Sequence, residues 1–209
     1  MTGGRIGAAL APIAVALMLS GCQGHSDAER VGEILYHKVL SVGGADEVPR
    51  ERVVAIPYAT LGVQLGSSDQ AMFVLTAQTG DDFYWVGGTQ FALATRNGRI
   101  VRSAGFPHNV SSVTADSSGS LRAYRYDLPD INAYAVVVSC TVRDLGGERI
   151  VILDIAHDTR HIVEECEAPQ LSWDFTNEYW QTGDFVWRSV QYIHPGEDPI
   201  TLETLRPAG

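Results

Sequence analysis

The sequence predicts a mainly β protein: an antiparallel meander forming a large twisted sheet, sandwich or partly open barrel, with one N-terminal amphipathic helix. Three observations carry that expectation. From Val53 onward the chain breaks into short runs rich in Val, Ile, Tyr, Phe and Trp. Gly, Asp, Asn and Pro punctuate those runs at short intervals. Helical spacing of apolar residues is convincing only before residue 45.

The first element lies ahead of the fold. "MTGGRIGAALAPIAVALMLSGCQG" places Arg5 before an apolar stretch of about 14 residues, short of the ~20 a bilayer span needs. Residues 1–21 therefore read as a cleaved signal peptide. Leu19-Ser20-Gly21-Cys22 has the form of a bacterial lipobox, in which the cysteine is diacylated and then N-acylated, so the mature chain is expected to begin at Cys22. Several acyl chains anchor stably because each buried methylene contributes ~0.8 kcal/mol. The alternative is an ordinary secreted protein with an accidental thiol. Gln23, rather than an Asp, follows the cysteine, which favours the outer membrane, with residues 26–209 as a single mainly-β periplasmic domain after a lipidated N-terminus at 22–25.

Ser26 and Glu29 form a capping box, and Val31, Ile34, Leu35 and Val39 follow at helical spacing up to Gly43-Gly44. Candidate strands then run over 52–58, 60–66, 70–78, 82–87, 89–96, 99–105, 121–127, 133–143, 149–156, 160–167, 171–180, 184–193 and 200–205. The polar stretch 107–120 reads as a loop or a boundary between two sheet halves. Gly146-Gly147 reads as a hairpin turn.

"NGRIVRSAGF" at 97–106 is echoed by "TGDFVWRSVQY" at 182–192. Asn97-Gly98 and Thr182-Gly183-Asp184 both suit tight turns, so the echo is first a repeated hairpin. A two-residue turn would set Arg96 opposite Arg99, an unfavourable like-charge pair unless the register differs, an acidic neighbour intervenes or the face is exposed. Arg99, Arg102 and Arg188, the last beside Trp187, are candidate contacts for sugar hydroxyls or carboxylates; the bland alternative is solvated surface arginines.

The formal charge of -10, from 15 basic and 25 acidic residues, argues against a general nucleic-acid or anionic-membrane surface. Besides Cys22 the chain has Cys140 and Cys166, which in an oxidising compartment read as one disulfide, with two buried free thiols as the alternative.

Several stretches together carry a family resemblance: the lipobox, "IPYATLGVQLG", "NGRIVRSAGFPHNV", "VEECEA" and "NEYWQTGDFVWRSVQYIHPGEDPITLETLRP". In these the chain resembles the YjbF family of lipoproteins, related to the group 4 capsule lipoproteins (GfcB-like). The resemblance implies an outer-membrane lipoprotein of largely β structure, accessory to extracellular or capsular polysaccharide production, without an established catalytic site. Cys22 alone takes a definite role from it.

Signals for chemistry are sparse. "GSSDQ" and "SSGS" lack the G-x-S-x-G elbow of a serine hydrolase. His157 and His161 lie four apart with Asp154, Asp158, Glu164 and Glu165 nearby, but their β-branched surroundings argue strands rather than a zinc-binding helix, so no metal site and no cofactor is expected unless the two histidines meet across a turn. Asp174 and Glu178, with Trp173, Tyr179 and Trp180, have the composition of a sugar cleft; an aromatic core is the plainer alternative. Three functions follow: a non-catalytic anchored accessory of polysaccharide export, assembly or retention, meeting polysaccharide or secretion proteins; a periplasmic glycan-processing enzyme; or a structural envelope lipoprotein binding a protein through strand edges.

Overall fold

The structure is a computed structural model that describes residues 47–116 and 122–208. Cys22, the lipobox and the helix expected from Ser26 lie outside the described residues.

Period-two alternation organises the chain. On β10 (Trp173–Thr182), Trp173, Phe175, Asn177 and Tyr179 are buried while Asp174 is exposed, the pattern of a strand with one covered face. Twelve strands make up the described fold, β10 among the most regular: β1 (Thr60–Leu65), β2 (Ala71–Thr79), β3 (Asp82–Gly87), β4 (Phe91–Arg96), β5 (Arg99–Ala104), β6 (Ser112–Asp116), β7 (Arg122–Leu128), β8 (Ala133–Ile152), β9 (Ile155–Ala168), β10, β11 (Phe185–Gln191) and β12 (Ile200–Arg206). They form one antiparallel sheet in the order β5-β4-β3-β2-β1-β12-β11-β10-β9-β8-β7-β6.

This is a meander closed at one place by β1 pairing with β12. The two edge strands meet again on the far side: Ser103 N donates to Val110 O at 2.8 Å, and Val110 N to Ser103 Oγ at 3.0 Å. The result is a nearly closed barrel with a short seam between β5 and β6. Full closure would remove both sheet edges; this seam nearly does so. The interior is filled by aromatic and branched side chains, including Phe73, Leu128, Tyr126 and Val138.

Three local readings change. The segment 52–58 is not a strand: Arg50–Val54 is one short helix (α1), entered from Pro49, whose ψ of 140° is extended while its ring fixes φ at -62°, ready for the first turn. Val53, the helix's one buried residue, packs on Val48 and Met72, and the helix's two valines made it look like strand. Gly146-Gly147 is not a turn either. β8 continues through it with a bulge between Asp144 and Gly146, and the turn comes at Leu153-Asp154, both at positive φ. The stretch 107–120 also contains β6, whose "SVTAD" is too polar to announce a strand.

The bulge has a large consequence. Beyond it the β8–β9 hairpin leaves the barrel wall as an arm and folds over the outside of β10, β11 and β12. Ile150 and Ile152 pack there with Trp180, Trp187, Val190 and Leu205. Arg188 Nη2 donates to Val151 O at 3.1 Å, and Arg50 Nη1 donates to Leu153 O at 3.0 Å. Bulges bend strands and increase their twist, which is the geometry the arm requires.

Cys140 and Cys166 form a disulfide between paired positions of β8 and β9, with Cα atoms 4.1 Å apart. The two ends of the barrel differ. One carries the tight β2–β3, β4–β5 and β10–β11 turns and is called the turn end; the other carries the longer β5–β6 and β11–β12 connections and is called the loop end.

Candidate functional site

The echoed stretches answer each other in space. Asn97 and Gly98 have φ of 49° and 75°, the two positive values a type I′ turn demands. Gly183, at φ 60°, opens the second turn. The first hairpin then tucks against the second: a Cβ on Gly98 would lie 2.5 Å from Val186 Cβ. Gln191, at the end of the second stretch, secures it by accepting from Ile100 N at 2.9 Å and donating to Gly98 O at 2.7 Å.

This contact divides the turn end into two hollows that share Asn97 and Val186 as a wall. The larger, of 390 Å³, is lined by Arg99, Arg122, Tyr124, Glu164, Tyr179 and Gln181 among others. The smaller, of 270 Å³, has an aromatic lining from Phe83, Trp85, Phe185 and Trp187. Trp85 Nε1 donates to Thr95 Oγ1 at 2.9 Å, which fixes that ring.

The larger hollow is organised around a charge inside the barrel. Arg96 and Arg99 do face each other across the turn, and acidic neighbours separate their fates. Arg96 turns outward to Asp82 (Nε–Oδ1 2.6 Å), whereas Arg99 turns inward, its side chain only 11 % exposed, and pairs through Nη2 with Glu164. Arg99 is thus not a solvated surface arginine. Glu164 is 1 % exposed and also accepts from Arg122 Nη1 at 3.0 Å and from Tyr124 Oη at 3.3 Å. The Arg99 guanidinium lies 3.9 Å from the Tyr124 ring centroid, a cation–π contact strengthened by burial.

The electrostatics follow from this geometry. Burial pushes the Glu164 carboxyl up, but Arg99 and Arg122 outweigh burial and hold it below the usual carboxylate range. Burial opposes the Arg99 charge, and the surrounding tyrosines together with Glu164 more than offset that opposition. Two guanidinium groups share one carboxylate. Arg99 Nη1 is buried and makes no hydrogen bond of good geometry among the described residues, although the Tyr126 hydroxyl lies beside the guanidinium; the cluster is left with excess positive charge.

The remaining candidate residues are dispersed. Trp180 lies under the arm, 9 % exposed, with His161 stacked on it at 4.4 Å. Trp187 packs against His157, the two rings tilted by 30° with centroids 3.8 Å apart, and lines the aromatic hollow. Arg188 is paired with Glu203 (Nε–Oε1 2.6 Å) as well as with the arm. Arg102 is exposed on β5 and does not line either hollow, and Asp174 is exposed near the disulfide at the loop end. Asp174 and Glu178 are four positions apart on one strand, roughly 13 Å along it, beyond the ~5–9.5 Å between glycosidase carboxyls. Glu178 is instead bonded to His161 Nε2 at 2.7 Å.

His157 and His161 do not meet across a turn. Both follow it on β9, opposite Ile150 and Gly146, and their side chains reach different partners. A different histidine cluster sits at the loop end. Asp130 Oδ2 lies 2.8 Å from His108 Nδ1 and 3.3 Å from His194 Nε2, and the two imidazoles stack with centroids 4.4 Å apart. Gly196 N donates to His194 Nδ1 at 3.0 Å, which puts the proton of the neutral ring on Nε2, facing Asp130. Asp130 thus ties together three connections, through a hydrogen bond to His108 and a 3.3 Å approach to His194 Nε2 that falls short of a well-formed hydrogen bond, and the three groups lie close enough together to hold a metal ion.

Sequence reasoning did not pick out Arg122, Tyr124 or the inward role of Glu164, and it grouped Tyr179 with Asp174 and Glu178 rather than with Arg99. A signal existed for Glu164: Ile162, Cys166 and Ala168 share its strand face, so period two puts a carboxylate among core residues.

A nearly closed antiparallel barrel of this kind has known relatives. The family described as group 4 capsule polysaccharide lipoprotein gfcB, YjbF matches over residues 36–205. The chain belongs to that family. Among solved structures it resembles the hypothetical lipoprotein YmcC from Escherichia coli (K12), with a TM-score of 0.66 and 22 % identity, covering 78 % of this chain and 90 % of that one. At that identity the likeness shows the fold. No curated protein matches the chain.

Proposed function

We propose that this protein is a non-catalytic accessory of capsular or extracellular polysaccharide export, assembly or retention, held at the outer membrane by lipid on Cys22 and facing the periplasm. The family match over residues 36–205 carries the link to capsule polysaccharide. The Leu19-Ser20-Gly21-Cys22 sequence supports the anchor, and Gln23 supports the outer membrane as its destination.

The chemistry of the interior hollow favours binding over hydrolysis. General acid catalysis by a carboxyl needs a raised pKa. Glu164 is displaced the other way, and its oxygens are occupied by Arg99, Arg122 and Tyr124.

The test is a deletion strain complemented with the wild-type gene or with Cys22→Ala, measuring surface and released polysaccharide. A fall in polysaccharide that only the lipidated form restores is the expected result. Unchanged amount, size and retention of polysaccharide would overturn the proposal.

A further inference from the structure

We infer that the hollow around Arg99 and Arg122 is a subsite for an acidic sugar, with the sugar carboxylate received by the arginines and a neighbouring ring received by the aromatic hollow next door. The choice of a sugar as carrier of the anion rests on the proposed function; the preference for an anion comes from the site itself.

The electrostatic argument begins with a contrast. The chain carries a formal charge of -10, yet this hollow gathers two guanidinium groups against one carboxylate. An anion received by Arg122 in the hollow would neutralise the excess charge. Arg122, with its side chain 54 % exposed, can turn one edge toward an incoming group while Nη1 stays on Glu164. Arginine suits a carboxylate because its planar fork matches two oxygens.

The steric argument points to a sugar-sized guest. A volume of 390 Å³ falls within the ~300–1,000 Å³ of small-molecule pockets. Tyr179 and Gln181 offer polar groups beside the arginines, and Asn97 stands on the partition. Across it, Phe83, Trp85 and Trp187 line the apolar hollow. Cationic and aromatic compartments side by side match a chain of acidic pyranoses, whose carboxylates and ring faces recur at sugar spacing.

The measurement is calorimetric binding of trigalacturonic acid, maltotriose and inorganic phosphate to the full lipidated protein in detergent, at low and at physiological salt. Trigalacturonic acid is expected to bind, more weakly at the higher salt, and Arg122→Gln to weaken it at least tenfold. Arg143→Gln, on the outer surface and paired with Glu165, should leave binding unchanged and controls for general charge loss. Trp85→Phe should weaken trigalacturonic acid but not the monomer galacturonic acid, which needs only the cationic hollow. Absence of trigalacturonic acid binding, indifference to Arg122→Gln, equal binding of maltotriose, or equal binding of phosphate would each overturn the subsite. The two proposals fail separately. If deletion lowers polysaccharide and Arg122→Gln restores it fully while binding no acidic sugar, the accessory function stands and the subsite falls. If trigalacturonic acid binds as expected but deletion changes nothing, the subsite stands and the accessory function falls.

Discussion

Gly98 and Val186 touch across the turn end of the barrel so closely that a Cβ on the glycine would sit 2.5 Å from the valine Cβ. Two similar sequence stretches thereby become one wall between two hollows. Gly98 is also at φ 75°, so Gly98→Ala incurs overpacking and backbone strain together, roughly 2–4 kcal/mol. Denaturant unfolding of Gly98→Ala, Val186→Gly and the double variant measures the coupling. The double variant is expected to be more stable than the sum of the singles predicts by at least ~1 kcal/mol; additive effects would show that the contact is not tight.

Glu164 holds two arginines from inside the barrel. Glu164→Gln strips Arg99 of its counter-charge, and removing one partner of a buried pair costs about 3–5 kcal/mol. Arg99→Met in the same background should recover part of that loss, as read by equilibrium unfolding.

The pH dependence has a definite sign. Glu164 is held below its ordinary value of 4.5 in the folded state, so its contribution is fully present above 4.5 and is lost as pH falls through the lower folded value. Stability curves of the wild type and Glu164→Gln should converge in strong acid and separate as pH rises toward neutrality.

At the loop end, burial lowers the His194 pKa against the opposing pull of Asp130, with His108 and Glu197 also facing the ring. A depressed histidine pKa favours the neutral ring, so its stabilising contribution is present above 6.5 and fades as pH falls through the folded value. Amide exchange in the 105–111 and 192–199 connections should therefore quicken on mild acidification. His194→Gln, which can still accept and donate, should flatten that response.

The disulfide closes a loop with a sequence separation of 26. In the chain-entropy model that stabilises by roughly 3 kcal/mol. Cys140→Ala with Cys166→Ala should unfold at correspondingly lower denaturant while keeping the far-ultraviolet signature of the sheet, since both strands remain paired on either side of the link.

Much of the fold was legible because period two is a local property. The strands from β1 to β5 and from β7 to β12 announced themselves through β-branched and aromatic runs between turn residues, and Asn97-Gly98 announced its own turn. The failures have local causes as well. Val53 and Val54 looked like strand, but Pro49 and the burial of Val53 against Val48 and Met72 favour a helical turn. Gly146 looked like a hairpin because a positive-φ glycine serves a bulge as readily as a turn, while Leu153-Asp154, the real turn, has no glycine to mark it. Of the site, Arg99 was legible as a residue needing an acidic neighbour, but the identity of that neighbour was not. Glu164 is 65 positions away, and no local pattern encodes such a distance.

The sequence by itself determined the antiparallel meander, the position of most strands, the family to which the chain belongs and the expectation of a lipid anchor, since all of these rest on composition and short-range order. Tertiary structure alone decided that the strands make one sheet rolled into a nearly closed barrel, that an arm covers Trp180, and that Arg99 and Arg122 converge on Glu164. The physical reason is that closure is a sum over all twelve strands, each adding its increment of twist. Which side chains meet inside is fixed only when that sum is complete.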